Sequence, residues 1–192
     1  MQHPPTRRHL LRSSLQLGAG VAALAHMGRA FAQNNAPPEV QAQLPQAGRA
    51  GGTRMRFLGL SIYDASLWVA PGFEAAQYAA HPIALELRYL RSLSGKSIAE
   101  RSLQEMRRGG PLDAVTEQAW LQAMVEAFPD VKDGDRITGL HMPGAGTRFV
   151  YNGALRATVA DPAFGPRFFG IWLAPWTSEP RLRSELLAGL SP

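Results

Sequence analysis

Residues 136–159, RITGLHMPGAGTRFVYNGALRATV, decide the fold. Three apolar runs, Arg136–Met142, Thr147–Tyr151 and Ala154–Val159, are separated by Pro143-Gly144-Ala145-Gly146 and by Asn152-Gly153. Asn-Gly between two such runs is a strong hairpin signal, because a two-residue type I′ turn needs positive φ at both positions. Two successive hairpins make an antiparallel meander. Working outward, Ile83, Leu85, Leu87 and Tyr89 alternate with Glu86 and Arg88, as in a half-buried strand. Met55–Val69 is apolar on both parities and reads as a strand pair or as one long, bent central strand.

Helices are equally legible. Ser97-Ile98-Ala99-Glu100 is a capping box whose helix should end at Gly109-Gly110-Pro111. Asp113 caps a second helix through Phe128, with Val115, Ala119, Trp120, Met124 and Phe128 on its buried side. Asp161-Pro162 opens a third, which Gly165-Pro166 breaks or restarts. Ser178 opens a short last helix with Leu182, Leu186 and Leu187 facing inward and Gly189 ending it. The order β, β, α, α, β-meander, α, α predicts an α+β fold, with helices gathered on a large antiparallel sheet.

The amino terminus reads as an export signal. Arg7, Arg8 and Arg12, with no acid, precede the uncharged run Leu15–Met27 and then Ala30-Phe31-Ala32. That run, about 13 residues, is too short to span a membrane, which takes roughly 20. Thr6-Arg7-Arg8-His9-Leu10-Leu11-Arg12 fits the twin-arginine type, and an ordinary Sec signal carrying two arginines is the alternative. The expectation is a periplasmic protein cleaved near Ala32, with residues 33–52 a flexible lead-in and 53–192 one globular domain.

Composition narrows the function. The 192 residues are 45% apolar, contain no Cys and carry a formal charge of +5. Residues 1–32 hold four of the 20 basic residues and none of the 15 acids, so the remainder is nearly neutral, 16 against 15. That balance lacks the basic footprint of a nucleic-acid binder and the electrostatic pull toward an anionic membrane. Without Cys there is no disulfide, thiolate nucleophile or thiolate metal site. His81 and His141, the two histidines beyond residue 32, have no ligand-spaced partners and read as solvated, so neither metal nor cofactor is expected. No nucleophile elbow, P-loop or dinucleotide fingerprint occurs. Asp130, Asp133 and Asp135 read as a helix-to-strand turn rather than a calcium loop. Phe168, Phe169, Ile171 and Trp172 read as core rather than as a wall facing a ligand.

In order and spacing, several segments resemble the bacterial chalcone isomerase-like family: RMRFLGLSIYDASLWV (54–69), YLRSLSGKSIAER (89–101), FPDVKDGDRI (128–137), PGAGTRFVYNG (143–153) and FFGIWL (168–173). The resemblance implies an open-faced β-sandwich, a large antiparallel sheet with helices layered on it and a cleft between. Plant enzymes of that superfamily cyclise a chalcone using a strand Arg, a strand Thr, a Tyr and Asn seven apart on the first helix, and a polar residue on a later helix. Matching their helix to Leu93–Ser97 puts Ile98 at the Tyr position and Glu105 at the Asn position. If the Tyr of the turn after the strand Thr matches Tyr63, the Thr falls near Leu58; the later polar position falls near Gly170.

That missing polar set implies a non-catalytic protein holding a small apolar or amphipathic ligand in the cleft. Arg54, Arg56, Tyr63, Tyr89 and Glu105 are the candidate polar contacts. The alternatives are an isomerase or intramolecular lyase using Glu105 as general base, against a solvated Glu105 between Arg101 and Arg108, or an accessory protein that binds a protein partner.

Overall fold

The computed structural model describes residue 1 and residues 36–190. The export signal expected at 1–32 therefore lies outside the described residues apart from Met1. Among the described residues, no helix is long and apolar enough to cross a membrane.

Six strands, β1 (Gly48–Phe57), β2 (Leu60–Val69), β3 (Ile83–Tyr89), β4 (Arg136–Met142), β5 (Gly146–Tyr151) and β6 (Ala154–Val159), form one antiparallel sheet in sequence order. Helices α2 (Gly95–Met106) and α3 (Ala114–Ala127) enter between β3 and β4, and α4 (Phe164–Leu173) and α5 (Pro180–Leu186) follow β6. This is the α+β open-faced arrangement expected from the chain order. Met55–Val69 resolves into the strand pair, turned by Leu58-Gly59.

Side-chain parity builds the core. Leu67, Leu85, Gly139, Phe149 and Ala157 form one cross-strand rung on the inner face, with Leu87, Ile137 and Tyr151 on the next. Phe168 centres an aromatic cluster over that face, its ring 5.1 Å from Phe149, 5.5 Å from Phe164 and Phe169, and 5.4 Å from Trp172. Gly139 makes room for the cluster, since a Cβ there would sit 3.2 Å from Phe169.

The segment expected to be a flexible lead-in is instead structured from residue 36. Helix α1 (Pro38–Gln43) straps the outer face, with Val40 and Leu44 buried against Trp68, Ala84, Leu140 and Val150. Glu39 ties it down, accepting hydrogen bonds from Thr138 Oγ1 at 2.8 Å and Arg136 Nε at 3.2 Å. Two apolar residues at i, i+4 suffice to bury a one-and-a-half-turn helix, and the polar, Pro-containing surroundings hid them.

Local readings changed in four other places. Ser94 rather than Ser97 caps α2, its Oγ accepting from the Ser97 N–H at 3.1 Å, because Gly95 lies so close to the Phe128 carbonyl that only glycine fits. Asp113 caps α3 as expected, but Val115 and Ala119 are exposed and the buried stripe is Trp120, Met124, Ala127 and Phe128. Pro166 does not break α4, since it sits in the first turn, where no intrahelical N–H is needed. His141 is buried rather than solvated. Its Nε2 lies 2.9 Å from the Ala79 carbonyl and so carries the proton, and burial lowers its pKa.

Asp135 fastens the aspartate turn to the Asn-Gly hairpin, accepting from Lys132 N–H at 2.9 Å, Tyr151 Oη at 2.9 Å and Asn152 Nδ2 at 3.0 Å. These bonds, Asn152's foremost, hold its carboxyl below the usual range.

The two tight hairpins share a backbone but not a chemistry. Asn152-Gly153 has φ of 47° and 88°, and Leu58-Gly59 has 49° and 80°. Leucine at positive φ is strained by its Cβ, and Leu58 is 86% exposed, so its side chain returns little packing. Leu58→Asn is expected to raise stability by about 0.5–1 kcal/mol, read as a higher urea midpoint. An unchanged or lower midpoint would mean that the turn is unstrained.

Candidate functional site

Because α2 comes from one chain excursion and α4 and α5 from another, the helical layer does not fully close on the sheet. A cavity of about 310 Å³ lies between them, near the lower end of the range for ligand sites, about 300–1,000 Å³. Leu85, Leu87, Ile137 and Phe149 floor it, and Ile98, Phe168, Ile171 and Trp172 roof it. Met55, Phe57 and Ile62 close the side under the β1–β2 hairpin. A bulge skips Ile62 between the pairs Met55–Tyr63 and Arg56–Ser61, so Ile62 and Tyr63 both reach the cavity.

Few polar groups enter. Tyr63 and Tyr89 are cross-strand partners with rings 6.1 Å apart, edge to face. Trp172 Nε1 donates to the Tyr63 hydroxyl at 3.0 Å, binding the helical layer to the sheet. Burial pushes the Tyr63 phenol up to about 12 and raises that of Tyr89 further. Both therefore stay protonated donors at neutral pH. Tyr89 is 2% exposed, and among the described residues its hydroxyl makes no hydrogen bond to protein.

Glu105 also lines the cavity and is 8% exposed. Its Oε1 lies 2.6 Å from Arg101 Nη2, one turn earlier on α2, and its Oε2 is 3.8 Å from Arg108 Nε. The i−4 and i+3 pairs read from the sequence are present, but around a buried carboxylate rather than a solvated one. Oε2 is buried without a hydrogen-bond partner. Removing Arg101 would leave that carboxylate poorly compensated, which is costly in a low-dielectric site.

The four strand candidates divide by parity, and Glu105 enters from α2. Tyr63, Tyr89 and Glu105 reach the cavity, whereas Arg54 and Arg56 do not. On β1, Met55 and Phe57 face inward, so both arginines project to the opposite side. There Arg54 is paired with Asp64, Nε to Oδ1 at 2.6 Å and Nη2 to Oδ2 at 2.8 Å. A register slip of one residue would reverse every face, and nothing in the glycine-rich GRAGGTRMR run pinned it.

Arg101, Trp172 and Glu179 line the cavity and were not singled out as site residues. Arg101 had a signal in its spacing to Glu105, Trp172 was read as core alone, and Glu179 had none. Phe168 and Trp172 serve the core and the cavity wall together. Of the positions matched to the plant enzymes, Ile98 and Glu105 reach the cavity. The anchor for Leu58 fails, because Tyr63 lies inside β2 and Leu58 at the exposed hairpin tip. Gly170 has no space for a side chain, since a Cβ would sit 2.7 Å from Tyr78 Oη.

The sequence profile described as chalcone isomerase-like matches residues 47–188. A Haemophilus influenzae protein, described only as uncharacterized, is 32% identical over 106 residues, covering 55% of this chain and 52% of that protein. The chain thus spans about half the length of that relative. The crystal structure of a fatty-acid binding protein from Arabidopsis thaliana aligns with a TM-score of 0.58 over 74% of this chain and 87% of that one. At 12% identity, that likeness is one of fold.

The two tyrosines should respond differently to losing a hydroxyl. Tyr63→Phe strands the Trp172 N–H and is expected to cost about 1–3 kcal/mol, whereas Tyr89→Phe should cost less than about 1 kcal/mol. Denaturant unfolding of both variants checks this, and equal losses would contradict the Trp172–Tyr63 bond as an interlayer tie.

Proposed function

Because the chain belongs to the chalcone isomerase-like family, we propose that it binds a small apolar or amphipathic molecule in the cavity without catalysing chalcone cyclisation. The observation that carries this reading is the cavity itself, an apolar space between sheet and helices whose few polar groups are side chains on β2, β3, α2 and the start of α5. A fatty-acid binding protein with the same fold supports a ligand of this class. Ile98, at the helix position where the plant enzymes carry their Tyr, has no group to hold a ketone. Glu105, the one candidate base, is already ion-paired with Arg101.

Export belongs to the same proposal. The signal at 1–32 would leave Gln33 as the first residue, three before the strap that begins at Ala36. The intact mass of protein recovered from the periplasm tests this, since an uncleaved chain there would contradict cleavage near Ala32.

The ligand-binding reading is tested by native mass spectrometry of protein purified without denaturation. An added mass of about a few hundred daltons, lost on denaturing, is expected for a ligand that fills such a pocket. Ile98→Trp should fill the cavity and lower the bound fraction at least about tenfold while the far-ultraviolet circular dichroism is unchanged. A clean unliganded mass, with no binding of added lipids, would favour an accessory protein that docks a partner. The exposed hairpin tip of Phe57, Leu58 and Leu60 is the apolar surface such a partner would meet.

A further inference from the structure

Phe57, Leu58 and Leu60 cluster at the tip of the β1–β2 hairpin and are exposed, Phe57 and Leu60 at 53% each. Beyond Met1, the other large apolar side chains exposed among the described residues, Val115, Val125 and Leu155, stand singly. The tip gives the fold little in return. Leu58 sits at φ 49°, where its Cβ is crowded, in a turn that the second hairpin makes with Asn152-Gly153. A leucine held at a disfavoured angle and facing solvent gains neither backbone ease nor packing, and such outliers gather at functional sites.

Charge is as uneven as apolarity. The chain beyond residue 32 is nearly neutral, but the outer side of this hairpin is not. Asp64 is held below its usual range by its bond to Arg54 and by the charges of Arg54, Arg88 and Arg56. Glu185 is held down by its bond to Thr53, by Arg181 and by Arg56. Four guanidiniums thus surround two carboxylates. Arg54 pairs with Asp64 at 2.6 Å and Arg181 with Glu185 at 2.8 Å, whereas among the described residues Arg56 and Arg88 make no ion pair. At strand spacing Arg56 lies ~3 Å behind Phe57. Arg88, which pairs across β2 with Asp64 and so is level with Arg54, lies ~10 Å back, about one Debye length.

Apolar side chains ahead of unpaired arginines match a bilayer face, hydrocarbon beneath anionic phosphates. Three side chains are small for a specific protein interface, which takes about 800 Å² from each partner. Phe57 also lines the cavity, so one ring borders both the solvent at the tip and the ligand space. We propose that the β1–β2 hairpin docks on an anionic lipid surface, with Phe57, Leu58 and Leu60 in the acyl boundary, Arg56 at the lipid phosphates and Arg88 behind it. An apolar ligand then passes between bilayer and cavity beside Phe57 without crossing water. That passage rests on the ligand-binding reading above, and the docking does not.

The test uses the protein as its host delivers it and phosphatidylcholine vesicles with brominated acyl chains, with or without about 30% phosphatidylglycerol. Leu60→Trp puts a reporter at the tip, and bromine quenches an indole that enters the acyl region. Its fluorescence should be quenched beyond that of the parent, whose Trp68, Trp120 and Trp172 are buried. Adding Leu58→Asn should raise the lipid needed for half-maximal quenching at least about tenfold. Leu58 does not line the cavity and the change is expected to stabilise the fold, so neither unfolding nor loss of the ligand site would explain that rise. Arg56→Gln should weaken docking about fivefold on the anionic vesicles and leave it unchanged on the neutral ones. Quenching no greater than the parent's, or a Leu58→Asn variant that docks as well, would overturn the proposal. Self-association that Leu58→Asn abolishes, with no quenching by vesicles, would overturn it in favour of a second copy of the chain. Tip quenching by a protein with no bound mass in native mass spectrometry would uphold the docking and overturn the ligand-binding reading, and a bound mass without tip quenching would do the reverse.

Discussion

The inner face of the sheet has to be covered by helices drawn from two separate excursions of the chain. Residues between β3 and β4 supply α2 and α3, and residues after β6 supply α4 and α5. Helices in one excursion are tied by short loops, but the two groups meet only through side chains. Trp120 against Phe164 and Phe128 against Phe168, with ring centroids 5.5 and 6.1 Å apart, make the aromatic seam between them, and the Trp172–Tyr63 bond adds a directional tie to the sheet. The cavity lies along the boundary between the two groups, where α2 faces α4 and the start of α5 over β2 and β3. Protein interiors pack to crystal-like density with few voids, so a space of this size at the boundary stands out.

The same topology explains how the sheet's edges are handled. At β1, the Ala50 carbonyl accepts from the Gly189 N–H at 2.7 Å, so the turn that follows α5 occupies part of an exposed ladder. Thr53 donates to Glu185, and Gly51 is so close to the α5 carbonyls of Glu185 and Leu186 that a side chain would not fit. The outer face is closed by α1, whose Glu39 joins Arg136 and Thr138 in a polar rim around Val40 and Leu44. The strap and the terminal helix thus give the thin, six-stranded sheet cover on both sides of the layer that holds the cavity.

Elements with strong local chemistry were legible. Asn152-Gly153, the Ile83–Tyr89 alternation and the Asp113 cap each specify their structure within a few residues. What failed was whatever depended on tertiary approach. The α2 cap moved three residues because Gly95 must pass the Phe128 carbonyl, and α1 formed because the sheet offered Val40 and Leu44 a surface. His141 carries no local sign of burial, and only the packing of Ala79 and Phe169 against it settles its protonation. At the site, the family resemblance, through the strands that floor its cleft and the match to its first helix, brought Tyr63, Tyr89 and Glu105 into view. The faces of Arg54 and Arg56 hung on a register that glycines leave open.

Ile98 and Glu105 are seven residues apart, two helical turns, and so share the face of α2 that looks into the cavity. Neighbours on that helix are held by packing: Ala99, Leu103 and Met106 are almost wholly buried and touch the core. Changing one of those costs stability through lost contacts or overpacking. A residue at a cavity wall has fewer partners to clash with or abandon, so the fold constrains its identity less. The sheet and the helix seams fix where the cavity is, and a few wall positions, with an isoleucine and a buried acid on α2 here, set what chemistry it presents.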